Sequence, residues 1–165
     1  MRILGIDPGT IRMGYGVVDW ENDELTMVDC GVLGASSKLP VSQRLHKLYI
    51  GLQDVIGRHQ PLEVAIEEPF VAKNVRSAML VGEARAVAIL AATSRDIPVY
   101  EYSPRLVKQV VTSYGGSDKE QVQEMVRILL GLPTPPHSLD ASDALAVAIC
   151  HTYQSRLERL LADNP

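Results

Sequence analysis

The chain has 165 residues, of which 46% are apolar and 22% charged, and its formal net charge is −4. This length predicts a single domain, residues 1–165, with a core large enough for independent stability, and the apolar content excludes a disordered chain. No apolar run approaches the ~20 residues of a membrane helix and no signal-peptide pattern begins the chain, so we expect a cytoplasmic protein without membrane contact.

The first third of the sequence predicts a meander of three strands. Residues 2–6 are largely apolar and end at Asp7, which a Pro-Gly turn follows. Residues 13–20 resume as a second strand, close enough for an antiparallel hairpin, and residues 24–35 alternate roughly as a third. A carboxylate at a buried strand end is costly unless it is paired or binds a cation. Asp7 is therefore a candidate ligand in a metal site at the edge of a sheet.

A second strand end of the same kind lies at Glu67. The preceding segment has apolar residues at helical spacing, and Gly57 and Pro61 are expected to end that helix. Residues 62–67 then predict a short strand that ends in a carboxylate and is stopped by a proline. Because a crossover helix between two strands favours parallel pairing, this strand can lie beside the first and bring Glu67 near Asp7.

Residues 75–93 are almost all helix formers, and apolar side chains surround this helix. A helix with so narrow a polar face is buried on most sides, and one small domain offers little room for that. We therefore expect a second subunit to cover part of it. Residues 97–102 follow as a further strand. The predicted fold class is α/β, with a five-stranded mixed sheet flanked by helices.

Capping signals mark three helices in the last third of the chain. Ser103, followed by proline, begins the first of them. Ser117 with Glu120 matches a capping box that opens the second. Ser138 is placed to cap the last helix, which is predicted from about residue 139 past residue 157.

The last helix begins with two aspartates, Asp140 and Asp143. Because they are three residues apart, both project from one helix face, in turns where the helix dipole favours negative charge. With Asp7 and Glu67 they make four carboxylates, which would repel strongly if brought together without a cation. Oxygen ligands suit Mg²⁺ or Mn²⁺, and two such ions ~4 Å apart can activate water against a phosphodiester. Each acid taken singly is as well explained as a turn former, a surface charge or a helix-start residue, so this hypothesis rests on all four.

Seven segments follow one another in a characteristic order: Ile6-Asp7-Pro8-Gly9-Thr10 with Gly14-Tyr15-Gly16, Ala65-Ile66-Glu67, Phe70-Val71-Ala72-Lys73-Asn74, Gly82-Glu83-Ala84-Arg85, Tyr102-Ser103-Pro104-Arg105-Leu106-Val107-Lys108, Asp118-Lys119-Glu120-Gln121-Val122, and Asp140-Ala141-Ser142-Asp143-Ala144-Leu145-Ala146. Each is modest by itself, but the ordered set is specific. From about residue 2 to residue 153 the chain closely resembles the RuvC family of bacterial Holliday-junction resolvases.

The resemblance implies a ribonuclease H-like fold and a homodimer, formed through the helix at about 75–93. It implies paired symmetric nicking of four-way DNA junctions in recombination and repair, with two Mg²⁺ ions per site and Mn²⁺ able to substitute. The family's catalytic, metal-binding carboxylates fall on Asp7, Glu67, Asp140 and Asp143. A branch-migration helicase complex is the expected protein partner.

The resemblance also assigns DNA contacts. The aromatic residue that stacks on junction bases falls on Phe70, and basic DNA-contacting positions fall on Lys108 and Lys119. Other members of a local basic rim flank the acids, so DNA binding is compatible with the net negative charge: Lys73, Arg76 and Arg105. Asn74 is a further predicted DNA contact. Solvated surface is the alternative reading of each. His137 is expected to be a loop residue rather than a ligand, although a role in positioning water stays open.

Three other functions compete with this hypothesis. The Gly-Ile-Asp-x-Gly-Thr string also resembles the phosphate-binding hairpin of actin-like and sugar-kinase-like phosphotransferases, but those proteins need two such lobes. A YqgF-type nuclease acting on RNA shares the strand-end acids, but the long match over residues 70–122 favours the resolvase. A junction-binding protein without catalysis is disfavoured because all four acids are present.

Overall fold

The structure is a computed structural model, and it describes residues 1–69 and 74–162. Within these ranges the chain forms five strands: β1 (Arg2–Asp7), β2 (Arg12–Glu21), β3 (Glu24–Gly34), β4 (Glu63–Glu67) and β5 (Val99–Tyr102). The same ranges contain five α-helices: α1 (Val41–His59), α2 (Val75–Thr93), α3 (Pro104–Thr112), α4 (Lys119–Leu129) and α5 (Leu139–Ala162).

The five strands form one mixed sheet in the order β3-β2-β1-β4-β5. β1 is antiparallel to β2 and parallel to β4, and β4 is parallel to β5. The predicted meander, the parallel crossover through α1 and the five-stranded mixed sheet are therefore confirmed. Because β1 and β4 are parallel neighbours, their carboxyl ends meet at one edge of the sheet.

Helices cover both faces of the sheet. Ile3 and Leu4 are both fully buried, but they belong to different apolar clusters because successive strand residues point to opposite faces. One cluster joins the sheet to α1 and α2, and the other joins it to α3, α4 and α5. None of the helices in the described part of the chain is long and apolar enough to cross a membrane.

The end of α1 lies later than predicted. Gly57 sits inside the helix, which continues to His59, and Gln60 then adopts a left-handed conformation with φ of 48°. The N–H of Gln60 donates to the carbonyl oxygen of Ile56 at 2.8 Å and closes the last turn. A glycine in a helix costs only about 1 kcal/mol, less than the burial of Val55 and Ile56 contributes.

The capping box of α4 is shifted by one residue from the prediction. Asp118 is the N-cap: its side chain accepts a hydrogen bond from the backbone N–H of Gln121, and its own backbone N–H donates to the side chain of Gln121. This pair replaces the predicted one, Ser117 and Glu120. Ser117 is buried instead, and its hydroxyl lies 2.6 Å from that of Thr112. Ser117 and Asp118 are both residue types that cap helices. Because the hydroxyl of Ser117 is packed in the interior, Asp118 caps this one.

β5 is shorter than predicted and begins at Val99 rather than at residue 97. The N–H of Ile97 donates to the carbonyl oxygen of Ala92 at 3.2 Å. This bond closes the turn after α2, so Ile97 belongs to the connection and not to the strand.

Candidate active site at the sheet edge

Two parallel strand ends bring Asp7 and Glu67 side by side. Ile6 of β1 pairs with Ile66 of β4, so the next residue on each strand is an acid. The interiors of both strands are apolar because helices cover both faces of the sheet, and carboxylates occur only at their ends: Glu63 begins β4, and Asp7 and Glu67 end the two strands. Glu68, the neighbouring acid, lies beyond the strand and is exposed.

The first turns of α5 hold Asp140 and Asp143 over the same edge. Glycines allow this helix to approach the sheet at backbone distance: a Cβ on Gly14 of β2 would collide with the carbonyl oxygen of Asp140, and one on Gly5 of β1 would collide with the helix backbone further along. The hydroxyl of Ser138 accepts a hydrogen bond from the backbone N–H of Asp140 at 3.2 Å, as predicted for a residue at the start of this helix.

Burial and the negative charge of neighbouring carboxyl groups raise the pKa values of three of these acids. Burial raises the pKa of Asp7 to about 7, and the negative charges of Asp143 and Asp140 add to that rise. Burial also raises the pKa of Glu67 to about 8, with the charge of Asp7 as the next contribution. The pKa of Asp143 is raised by burial, against the opposing effect of Lys119. The acids predicted from three separate segments therefore converge on one place.

Two basic side chains compensate the acids of α5. Lys119 Nζ lies 2.7 Å from Asp143 Oδ2, and this hydrogen bond raises the pKa of Lys119. Arg12 Nε lies 2.6 Å from Asp140 Oδ2. Over residues 1–69 and 74–162, no three His, Cys, Asp or Glu side chains are arranged ready to hold a metal ion. The sequence offered no signal for the Arg12 pair, because its partner is 128 residues away.

The chemistry of the donor set nevertheless fits a divalent ion. Burial, together with the negative charge of neighbouring acids, raises the pKa of Asp7 to about 7 and that of Glu67 to about 8, and a bound cation would offset both effects. Oxygen is the only donor type these four acids provide, which suits Mg²⁺ or Mn²⁺ and not Zn²⁺. Such an ion would supply the positive charge that Arg12 and Lys119 now bring to the outer acids.

An open cleft of about 710 Å³ begins at these acids. Acidic and basic side chains line it together: Asp7, Glu67, Glu68, Asp143, Arg105, Lys108 and Lys119. The side chains of Arg105 and Lys108 form no hydrogen bond or ion pair with any residue that the structure describes. Their charges are therefore available to an anionic ligand in the cleft.

Two further predicted DNA-binding residues, Asn74 and Arg76, lie at the start of α2. Asn74 is its N-cap, and the side-chain oxygen accepts a hydrogen bond of 3.2 Å from a backbone N–H in the first turn, a role that the sequence analysis did not assign. Arg76 is exposed in that turn. Phe70 and Lys73 lie outside the described residues. His137 is an exposed residue in the connection before α5.

Comparison with protein families matches residues 3–151 to the model of crossover junction endodeoxyribonuclease RuvC. A protein of that name from Chloroflexus aggregans is 55% identical over 153 residues, which is 93% of each chain. Another of that name, from Dehalococcoides mccartyi, is 51% identical and covers 99% of this chain and 98% of its own.

A solved structure shows the same likeness in three dimensions. The RuvC of T. thermophilus, in complex with a Holliday junction substrate, superposes with a TM-score of 0.89 at 34% identity. The match covers 96% of each chain, so the architecture described above extends over nearly the whole of both proteins.

Proposed function

The chain belongs to the RuvC family of crossover junction endodeoxyribonucleases, and from this premise we propose how its cleft cuts DNA. It is an endonuclease with a ribonuclease H-like fold, and it resolves four-way DNA junctions by paired symmetric nicks in recombination and repair. One observation carries the proposed mechanism: acids from β1, β4 and α5 meet at one sheet edge, beside a cleft with free basic side chains.

The catalytic residues are the four acids Asp7, Glu67, Asp140 and Asp143. The family is metal-dependent, and we assign Mg²⁺ to this set, with two ions per site and with Mn²⁺ able to replace it. Asp7, Glu67, Asp140 and Asp143 would hold the ions, which would supply positive charge to activate a water molecule and to stabilise the oxygen leaving the phosphodiester.

The protein's own part begins with proton and charge movements. Asp7 and Glu67 must lose the protons that burial holds on them, because only the carboxylate is a ligand. Lys119 must leave Asp143, and Arg12 must leave Asp140, for those oxygens to become available. Lys119 is 56% exposed, so its ammonium group is free to turn toward a phosphate of the bound strand.

The DNA-binding surface follows the cleft. Arg105 and Lys108 lie on the solvent side of α3 and have no acidic partner among the described residues, which leaves them to contact phosphates. Arg76 at the start of α2 extends this surface. In this proposal Phe70 stacks on a junction base and Lys73 contacts phosphates.

We assign the homodimer interface to α2. One stripe of this helix is exposed, and its large apolar residues, Val75, Met79 and Leu90, are 60–70% exposed. The spacing of four and eleven residues puts them on one face. A second copy of α2 would cover this stripe, and a symmetric dimer provides one cleft for each of two opposing strands.

We also propose the domain, the cellular compartment and the protein partner of the reaction. Residues 1–165 act as a single nuclease domain, since one sheet and its two helical layers hold all four acids. The work takes place in the cytoplasm, where the DNA of a bacterium lies, and a branch-migration helicase complex delivers the junction.

The decisive experiment compares a synthetic four-way junction with linear duplex of the same sequence. Each is incubated with the purified protein in Mg²⁺, in Mn²⁺ and in EDTA. Paired nicks in opposing strands of the junction, present with either metal and absent in EDTA, are the expected result. Equal cutting of the linear duplex would contradict junction selectivity, and ATP hydrolysis at enzymatic rates would instead favour a phosphotransferase.

A further inference from the structure

We propose that Tyr114, in the connection between α3 and α4, stacks on an unpaired base of the junction in a groove that continues the active-site cleft. The inference rests on the proposed function, because it needs a DNA strand in that cleft. It adds a base-binding site to one that already contacts phosphates.

The backbone that presents Tyr114 is held rigidly. Its carbonyl oxygen lies within hydrogen-bonding distance, 2.9 Å, of the hydroxyls of both Thr112 and Ser117. The two hydroxyls lie 2.6 Å apart, and Ser117 is buried. Ser113 completes the turn in a left-handed conformation with φ of 63°. These three residues thus fix the backbone that carries the aromatic side chain.

The side chain itself is not used for folding. Tyr114 is 68% exposed, the largest exposed fraction among the large apolar and aromatic residues of the described chain after Val75. The ring edge lies over Gly116, where an added Cβ would come within 2.7 Å of the phenol carbon and oxygen. Its hydroxyl has no hydrogen-bond partner among residues 1–69 and 74–162. A rigid backbone that holds an exposed aromatic ring is the arrangement expected of a ligand-binding surface.

The groove beside this ring opens into the catalytic cleft. It has a volume of about 480 Å³, and six residues line it: Arg105, Gln109, Ser113, Tyr114, Gly115 and Gly116. Arg105 and Gly115 also line the cleft that holds the acids. A Cβ on Gly115 would lie 3.0 Å from Cγ of Arg105, so the loop packs directly on the arginine stem. The arginine therefore joins the two cavities.

The residues that line this groove suit a nucleic-acid strand as the ligand. The charge of Arg105 has no partner in the described residues and suits a phosphate, and an aromatic face beside it suits a base. A base inside a duplex is already stacked on both sides, whereas a base that has left its pair at the centre of a junction offers a free face. Gln109 lies one helical turn beyond Arg105 and supplies polar atoms for the edge of that base.

The test uses Tyr114→Leu, which keeps an apolar side chain but removes the ring, and Tyr114→Phe, which keeps the ring. Both are made in an Asp7→Asn background so that the junction is not cut. Four-way junctions carry 2-aminopurine at one position at a time around the crossover, and fluorescence is read at saturating protein. Ile128→Ser, an exposed substitution on α4, serves as the control, and thermal melting checks the fold of each variant.

We expect quenching at one or more crossover positions with the parent protein, retained by Tyr114→Phe and Ile128→Ser and lost in Tyr114→Leu. Junction affinity of Tyr114→Leu should fall about 5- to 150-fold, the loss of one stacked base at ~1–3 kcal/mol. Duplex affinity should change less than twofold.

Unchanged quenching in Tyr114→Leu would overturn the inference while leaving the nuclease assignment intact. An equal loss of affinity for junction and duplex would overturn it too, because the ring would then act on paired DNA. If the parent protein bound no junction at all, the proposed function itself would fail, so the two failures are distinct.

Discussion

The backbone of Gly14 in β2 lies so close to that of Asp140 in α5 that no side chain fits between them. This contact sets how deeply the first turn of α5 sits over the sheet edge. Since Asp140 is one of the four acids that we propose as metal ligands, a strand glycine without any functional group determines where its carboxylate stands.

We predict that Gly14→Ala displaces the start of α5. The added methyl group would force a backbone shift, which typically costs about 1–3 kcal/mol of stability. Junction cleavage should fall about 100-fold or more, because misplacement of a catalytic group by about 1 Å has that effect. Urea denaturation and single-turnover cleavage measure the two changes. Gly34→Ala is the matched control, because a Cβ there meets nothing within 4 Å; equal behaviour of the two variants would contradict the role of the close approach.

Asp7→Asn should abolish cleavage and leave junction binding intact. The amide keeps the size of the side chain but loses a charged metal ligand, and metal-ion stabilisation of the transition state is worth several kcal/mol, or roughly a thousandfold in rate. Cleavage in Mg²⁺ and junction binding in EDTA are the two measurements. Asp54→Asn, an exposed change on α1, provides the comparison. Substantial nicking by the Asp7 variant would remove this residue from the catalytic set.

The metal-free protein should become less stable as the pH rises from about 4 to about 8. The pKa of Asp7 rises from 3.8 to about 7 on folding, and that of Glu67 rises from 4.5 to about 8, so the folded state binds more protons than the unfolded state in this window. The free energy of unfolding then falls with pH and levels off above about pH 8. Melting temperatures in EDTA between pH 5 and 9 test this, with Asp7→Asn/Glu67→Gln as the variant expected to flatten the slope. An identical slope in both proteins would assign the dependence to other groups.

Lys119→Ala should lower cleavage about ten- to a hundredfold, since it removes a cation beside the transferring phosphate. It should not unfold the protein, because Lys119 is 56% exposed and one hydrogen bond to a charged group, even one as buried as Asp143, contributes only about 1.5–3 kcal/mol. Cleavage at limiting enzyme and thermal melting separate the two effects. Lys47→Ala on α1 controls for the change in net charge. A normal rate at low enzyme concentration would show that Lys119 does not act on the DNA.

Leu90→Arg should separate the proposed dimer into monomers with intact fold. Leu90 is 60% exposed in one chain, so the change costs little within the chain but buries a charge where a second α2 would pack. Sedimentation equilibrium gives the mass, and circular dichroism gives the helix content. Ile128→Arg makes the same substitution on the opposite helical layer and should leave the mass unchanged. A dimeric Leu90→Arg protein would place the interface elsewhere.

Much of the fold could be predicted from short stretches of sequence. Apolar runs that end in an acid predicted β1 and β4, rough alternation predicted β3, and α2 was predicted over the residues it occupies, because these patterns depend on neighbours in the chain. The errors fall at boundaries. Gly57 did not end α1, and Asp118 rather than Ser117 capped α4, since in each case burial of a side chain outweighed the local signal.

The sequence by itself determined which groups the site contains: carboxylates at two strand ends and one helix start, a helix too apolar to stand alone, and basic residues along α3. Only the tertiary structure decided which charges meet. Arg12 reaches Asp140 and Lys119 reaches Asp143, while Arg105 and Lys108 stay unpaired. The physical reason is range: propensity and periodicity act over a few residues, whereas an ion pair or the burial that raises a pKa depends on the whole packing of segments far apart in the chain.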